Sequence, residues 1–176
     1  IDSSLSKMLA QCSEEMESFL RTKSNLVFQK IVCIYLNMHK YRPIKGGSFL
    51  KTPPVIARRR ATINCNNGDN PFCFLYAVVI GLYELPCDKA KYSCNVEPYF
   101  AHVNTAGMVF PVTTCQEIEK FEKLNQNEIA INVIGEERDG ETVTFYPFRV
   151  SKLLNAKKEI NLLLLREEQK WHYVYV

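Results

Sequence analysis

The sequence predicts an α+β fold, in which helices come first and an antiparallel sheet follows. Three observations predict it: apolar residues at helical spacing near the start, a continuous apolar run at 72–83, and alternating strand-like segments in the last third. The chain has 176 residues, which is long enough for one domain with a sizeable core. We expect a single domain over 1–176, with a helical region and loop at 1–54 and the core at 55–176.

The first elements differ in how clearly they are predicted. Residues 4–21 carry apolar side chains three and four positions apart, which predicts an amphipathic helix capped by Ser3 or Ser4. Residues 25–38 are apolar enough for a helix or a strand, and the pattern does not separate the two. Residues 42–54 are rich in proline and glycine, which indicates a loop.

The middle of the chain predicts two helices. Residues 72–83 are apolar on nearly all sides, so a helix there belongs inside a core. Residues 86–111 contain scattered prolines and a glycine and read as irregular, while 115–124 predicts a short exposed helix.

The last part of the chain predicts strands joined as antiparallel neighbours. The strands are expected at 129–134, 142–146, 160–165 and 171–176, with turns at 135–140 and 166–170. The apolar 73–83 helix is expected to pack against this sheet.

Composition excludes several classes of protein. The net charge is +3, too small by itself to indicate nucleic acid. The basic run Arg58–Arg60 is typical of a solvated loop, with contact to a phosphate or an acidic partner as the alternative. The seven cysteines are irregularly spaced without a C-x-x-C pair, which indicates reduced thiols in an intracellular protein and no metal site. No apolar stretch is long enough for a membrane span. Both ends look cut, so we expect a piece of a longer protein.

Cys73 stands where a polar loop, N-C-N-N-G-D-N-P-F, becomes the apolar helix. A helix N-terminus carries partial positive charge and unpaired N–H groups, which favour a thiolate and can hold an oxyanion. A buried packing thiol is the alternative for Cys73. Cys65 lies in the preceding loop, where neither effect is assured.

His172 is the best candidate for a base among the three histidines. It begins a strand, where the backbone is held by pairing and the ring can lie at the sheet rim. A half-buried, hydrogen-bonded structural histidine is the alternative. A thiol at a helix start with an imidazole on a late strand is the arrangement of papain-type cysteine proteases.

The segments Asn70–Tyr83 and I-N-L-L-L-L followed by His172-Tyr173 resemble the OTU-type cysteine proteases, a papain-like group of deubiquitinases. The wider pattern, including Y-R-P-I-K-G-G-S-F-L, G-M-V-F-P-V and I-E-K-F-E-K-L-N, is similar to a domain in proteins of Maverick/Polinton-type transposons. The resemblance implies a papain-like fold, with Cys73 as the nucleophile, His172 as the base and a loop contribution from Asn70 to the oxyanion hole.

The chain departs from the OTU pattern in two places. Asp69 lies one position further from the cysteine than the family's aspartate, and Val174 stands where the family places an acidic or amide residue after the histidine. Asn132 is our preferred residue for orienting His172, with Asn161 or a residue beyond the cut end as alternatives. The other interpretation of Asn132 is a hydrogen-bonded amide within the sheet. Trp171 is expected either to line a narrow channel for a Gly-Gly tail or to be an ordinary core residue.

We therefore expect a thiol-dependent deubiquitinase that hydrolyses the bond after the Gly-Gly of ubiquitin, without a cofactor and without nucleic acid as partner. Two alternatives stay open: a protease that processes its own polyprotein, and a non-catalytic module that docks a transposon polymerase. The absence of an acid after His172 and the Arg58–Arg60 run favour the second alternative.

Overall fold

The computed structural model describes residues 6, 7, 10, 11, 13–15, 47–139, 142–167 and 170–176. The chain forms two compact units, Ile1–Tyr41 and Arg42–Val176. In the first unit the described residues are helical, as predicted for 4–21, and Gln11 Nε2 donates to Glu15 Oε1 at 3.0 Å one turn away. The predicted element at 25–38 lies outside the described residues.

The second unit is α+β, as expected. Its helices are Pro54–Ala57, Cys73–Leu82, Cys87–Ala90, Ser93–Val96, a 3₁₀ helix at Glu97–His102, and Cys115–Leu124. Its strands are β1 Ile129–Asp139, β2 Thr142–Arg149, β3 Lys158–Glu167 and β4 Lys170–Tyr175. No helix among the described residues is long and apolar enough to cross a membrane.

The sheet is mixed, in the order β2-β1-β3-β4. The pairs β1/β2 and β3/β4 are antiparallel, as predicted, but β1 and β3 run parallel. The prediction of a wholly antiparallel sheet is therefore wrong for the central pair. The physical reason lies in the 150–157 connection, which carries the chain from the outer strand β2 past β1 to begin β3 beside the start of β1.

The Cys73–Leu82 helix, called here the central helix, lies in the core, as its apolar sequence predicts. Every residue from Cys73 to Gly81 is buried. The ring of Phe74 meets Tyr173 of β4 at 5.4 Å on one side and Phe121 of the Cys115–Leu124 helix at 5.6 Å on the other. The helix is thus held between the sheet and a second helical layer, and its N-terminus is fixed against β4.

The opposite face of the sheet has a smaller apolar cluster. Leu50 and Ile56 pack there on strand residues that alternate with those facing the central helix. These strand residues are Leu163, Leu165 and Val174. Because side chains alternate along a strand, His172 belongs to this face, whereas Tyr173 belongs to the face of the central helix.

Candidate active site

Cys73 is the first residue of the central helix and is 2% exposed. No side chain caps this helix end. The backbone N–H groups of Tyr173, Phe74 and Cys73 itself are directed at the sulfur. Burial nevertheless dominates and raises the pKa of the Cys73 thiol to about 11, against the lowering effect of those N–H groups. The thiolate that the helix N-terminus favours is therefore not the resting form.

The sulfur of Cys73 lies at the open edge of β4. Gly47 N–H donates to the Trp171 carbonyl at 3.3 Å, and Ile63 exchanges two backbone hydrogen bonds with Tyr175 at 2.9 and 3.1 Å. Backbone groups of alternate residues point the same way along a strand, so Tyr173 also faces outward and its N–H reaches the sulfur. Cys73 thus occupies the gap between Gly47 and Ile63 along this edge.

His172 is buried, with 1% of its surface exposed, and its ring packs edge-on against Phe49 at 5.6 Å. Its Nε2 lies 2.8 Å from Oδ1 of Asn64. Its Nδ1 is buried without a hydrogen-bond partner. Burial lowers the pKa of His172 to about 4, and the backbone of Ser48 opposes this effect. The ring is therefore neutral near pH 7.

Asn64 determines which ring nitrogen of His172 carries the proton. The Asn64 Nδ2 group donates to the Leu50 carbonyl at 2.8 Å and to Thr52 Oγ1 at 3.0 Å. Its Oδ1 therefore faces His172 as an acceptor, so Nε2 is the protonated nitrogen. Nδ1 is left with a free lone pair, which is the form that accepts a proton.

The structure brings Cys73 and His172 to the same edge strand without a hydrogen bond between them. The sulfur contacts the N–H of Tyr173, the residue after His172. The side chain of His172 lies on the opposite face of the sheet, and its imidazole is hydrogen-bonded to Asn64. The predicted contact between thiol and imidazole is therefore not present, because strand alternation turns the His172 side chain away from the central helix.

Asn70 is placed beside the helix start, as expected. Its Oδ1 accepts from the N–H of Phe72 at 2.9 Å, which fixes the side chain in an Asx turn. The other end of the amide, Nδ2, makes no hydrogen bond within the described part of the chain. Within the described residues, Asn70 therefore has an unused amide donor on the turn that leads into Cys73.

The expectation that Asn132 orients His172 is wrong. Asn132 donates to Glu159 and Asn161, at 2.5 and 3.0 Å, and accepts from the Ser151 N–H. It pairs in register with Asn161, whereas His172 pairs with Leu165, four residues further along β3. That offset corresponds to about 13 Å along the strand, beyond the reach of either side chain, so Asn161 is excluded as well.

Trp171 is partly buried and does not line an approach to the sulfur. Its ring lies 5.9 Å from Phe148 of β2 and 5.0 Å from the guanidinium of Arg166. It therefore leans over the sheet toward β2, away from the edge where Cys73 lies. The expectation of a channel lined by Trp171 is not met.

Two asparagines that the sequence analysis did not single out are part of the site. Asn64 holds His172, and Asn67 donates from Nδ2 to the Gly47 carbonyl at 2.7 Å. Asn67 is 6% exposed, and its Oδ1 is buried without a partner. The only signal in the sequence was the density of asparagines in N-C-N-N-G-D-N, which also suits an ordinary turn.

The remaining candidates lack the geometry of the site. Cys65 is buried as Cys73 is, at 4% exposed, and burial, followed by the charge of Glu97, raises its pKa to about 12, but it does not stand at the start of a helix. Within the described ranges, no group of three or more His, Cys, Asp or Glu side chains is arranged to hold a metal ion. The site consists of one thiol, one neutral imidazole fixed by an amide, and several N–H donors.

No protein-family model, curated protein or solved structure matches the chain at a significant level. What the fold and the site define is therefore a class of arrangement: an α+β unit with a cysteine at a buried helix start, near a histidine of the edge strand that is held by an asparagine from the preceding loop.

Proposed function

We propose that the Arg42–Val176 unit is a cysteine-type peptidase in which Cys73 is the nucleophile, His172 the base and Asn64 the residue that positions the base. The observation that carries the proposal is the state of His172: Nε2 is held by Asn64, and Nδ1 is buried, unpartnered and able to accept a proton. A structural histidine gains stability from satisfying both nitrogens, and an unsatisfied buried nitrogen costs about 1–3 kcal/mol.

The reaction follows from these groups. The sulfur attacks the carbonyl carbon while Nδ1 of His172 takes the thiol proton, and the carbonyl electron pair moves onto oxygen. The amide Nδ2 of Asn70 and the N–H groups at the helix start hold that oxyanion. The C–N bond then breaks, the leaving amine takes the proton from Nδ1, and water hydrolyses the thioester.

Proton transfer accompanies the attack rather than preceding it. The pKa of the thiol is about 11 and that of the imidazole about 4, so the neutral pair is the stable resting form. The proposal requires the side-chain torsions of Cys73 and His172 to change so that the sulfur and Nδ1 meet in the reacting complex, as catalytic hydrogen bonds often tighten only when substrate is bound.

We propose ubiquitin as the substrate, cleaved after its terminal Gly-Gly. Two observations support this: the resemblance of Asn70–Tyr83 and His172-Tyr173 to the deubiquitinase pattern, and the 2% exposure of Cys73, which favours a narrow tail over bulky side chains. The unit then acts on an intracellular partner and needs no cofactor.

The test is labelling by ubiquitin with a C-terminal electrophile, read by peptide mass spectrometry, together with turnover of linkage-defined ubiquitin chains. Wild type is expected to be modified at Cys73, Cys73→Ala to lose both labelling and turnover, and His172→Gln to lose turnover. The exposed Cys94→Ala is the matched control and keeps both. Modification at Cys65 would contradict the assignment of the nucleophile.

A non-catalytic docking module is the second candidate, and the raised pKa of the buried thiol favours it. In that case Cys73→Ala changes only the stability of the protein, through the lost packing of a buried side chain, and wild type leaves both ubiquitin chains and flanking polyprotein sequence intact. Cleavage of the flanking sequence without cleavage of ubiquitin would keep the chemistry of the site and replace the proposed substrate.

A further inference from the structure

The segment Gly47–Leu50, called here the edge strap, lies along the site in a peptide-like manner. Its backbone bonds at each end: Gly47 N–H to the Trp171 carbonyl at 3.3 Å, and Phe49 N–H to the Gly68 carbonyl at 2.8 Å. The Gly47 carbonyl accepts from Asn67 at 2.7 Å, and the Leu50 carbonyl accepts from Asn64 at 2.8 Å. The strap is therefore attached by main-chain hydrogen bonds, as in a bound extended peptide, and by the side chain of Leu50, which is buried in the apolar cluster on the opposite face of the sheet.

The strap passes directly beside both candidate catalytic residues. Gly47 occupies the position on the β4 edge next to the one that Cys73 fills. The ring of Phe49 packs against His172 at 5.6 Å. The strap is therefore part of what keeps the thiol and the imidazole from solvent.

Only glycine fits where the strap meets the wall of the site. Gly47 has φ +107°, a conformation that L side chains rarely adopt. A Cβ there would lie 2.6 Å from Pro71 Cα and 3.3 Å from Pro111 Cβ. Pro71 is two residues before Cys73, so the requirement for glycine arises at the position adjoining the nucleophile.

Two buried polar atoms beside the strap make no hydrogen bond, although the backbone of Ser48 in the strap acts on the pKa of one of these residues, His172. They are Nδ1 of His172 and Oδ1 of Asn67, and each belongs to a residue that contacts the strap. Native structures satisfy the great majority of buried polar groups, so two orphans along one short segment indicate that another arrangement satisfies them.

We infer that the edge strap occupies the binding groove of the substrate and that an extended peptide tail with glycine beside the sulfur displaces it. The inference rests on the proposed function. The tail takes over the main-chain positions of the strap, one of its N–H groups donates to Asn67 Oδ1, and Pro71 and Pro111 select glycine. Displacement of Phe49 frees His172 Nδ1 to receive the thiol proton.

The experiment measures the rate at which iodoacetamide alkylates each cysteine, read by peptide mass spectrometry on the whole chain. Gly47→Ala is expected to raise the rate at Cys73 about tenfold or more, because the strained residue expels the strap. Gly107→Ala is the matched control: its φ is +69°, but a Cβ meets nothing closer than 3.9 Å. This substitution strains the backbone at a positive φ but leaves the strap in place.

Cys65 reports on global unfolding in the same sample, since it is buried in the main core cluster, whereas Leu50 of the strap belongs to the other cluster. Faster alkylation of Cys73 alone supports displacement of the strap. Equal acceleration of Cys65 and Cys73 overturns the inference, because global unfolding then accounts for the faster alkylation. Phe49→Ala provides a second variant without backbone strain and is expected to act in the same direction. Unchanged protection of Cys73 in both folded variants overturns the inference.

A second measurement tests the choice of tail. In Gly47→Ala, an electrophile carried by acetyl-Gly-Gly is expected to label Cys73 at least tenfold faster than the same electrophile carried by acetyl-Ala-Ala. Equal labelling overturns the selection of glycine. Accelerated alkylation without turnover of any peptide supports the displaceable strap and refutes the proposed peptidase. Turnover with unchanged alkylation supports the peptidase and refutes the displaceable strap.

Discussion

Two buried polar clusters in the Arg42–Val176 unit differ in how completely they are satisfied. Glu122 and Arg149 form a paired contact at 3.0 and 2.7 Å between the Cys115–Leu124 helix and the end of β2. Oε1 of Glu122 also accepts from the Ile131 N–H at 2.9 Å, and Arg149 donates to the Ile131 carbonyl. At the β4 edge, by contrast, Nδ1 of His172 and Oδ1 of Asn67 have no partner.

The comparison separates structure from function. Burial of polar groups costs free energy in both clusters, but several hydrogen bonds and a charge interaction offset that cost in the Glu122–Arg149 pair. The His172 cluster leaves part of its hydrogen-bonding capacity unused, at a position next to a thiol and a helix N-terminus. We therefore expect substitutions in the first cluster to change stability and those in the second to change protonation and reactivity.

The largest expected effect on stability is that of Glu122→Ala. It leaves the Arg149 guanidinium buried without its carboxylate and the Ile131 N–H without its acceptor, so the free energy of unfolding should fall by about 3–5 kcal/mol. Urea denaturation followed by circular dichroism measures this loss. A loss well below 1 kcal/mol would remove the basis for calling this cluster structural.

The next effect is a pH dependence due to His172. Its pKa is lowered by burial from an ordinary value of 6.5 to about 4, so the unfolded chain binds more protons than the folded one between those values. The free energy of unfolding is therefore highest above pH 6.5 as far as His172 is concerned. It falls as the pH is lowered toward 4, by about 3 kcal/mol from this group alone. The groups described around its ring, Asn64, Phe49 and the backbone of Ser48, are uncharged.

The measurement is the unfolding free energy of wild type and of His172→Gln between pH 7 and pH 4. In His172→Gln, most of the fall in unfolding free energy between pH 7 and pH 4 should be absent. His102→Gln, which changes an exposed ring, should keep the wild-type curve. Parallel curves for wild type and His172→Gln would show that the buried imidazole is not the titrating group.

A smaller effect is expected for Asn64→Ala. Removing its Oδ1 leaves Nε2 of His172 without a partner, which should cost about 1–3 kcal/mol. It should also release the tautomer, so that ¹⁵N NMR shifts of the ring show a mixture of Nδ1–H and Nε2–H forms. Asn64→Asp restores an acceptor and should return the ring to the Nε2–H form. A single tautomer in Asn64→Ala would show that another group positions the ring.

The smallest effect is expected at the exposed pair Glu119–Lys123, on the same helix as Glu122. The two residues are one turn apart, and Lys123 Nζ lies 2.8 Å from Glu119 Oε1. Because both side chains are more than half exposed, solvent screens their attraction. Glu119→Ala should leave the midpoint of urea denaturation unchanged. A shift comparable with that of Glu122→Ala would show that burial is not what distinguishes the two pairs.

The elements with strong local patterns were predicted well. The central helix, the Cys115–Leu124 helix and the four strands all appear where the sequence indicated, although β1, β2 and β3 extend further than expected. The expected turn at 135–140 is wrong for 135–139, which continue β1. The parallel pairing of β1 with β3 was missed, because short alternating strands read the same in either direction. The irregular region 86–111 also contains short helices that its prolines concealed.

The sequence by itself determined the α+β class, the buried central helix and the place of Cys73 at its start, since these depend on the spacing of apolar residues along one segment. Only the tertiary structure decided that His172 turns away from that helix, that Asn64 rather than Asn132 holds its ring, and that Gly47 passes beside the thiol. These features depend on strand register and on hydrogen bonds between residues far apart in the chain, and neither leaves a periodic trace in the sequence.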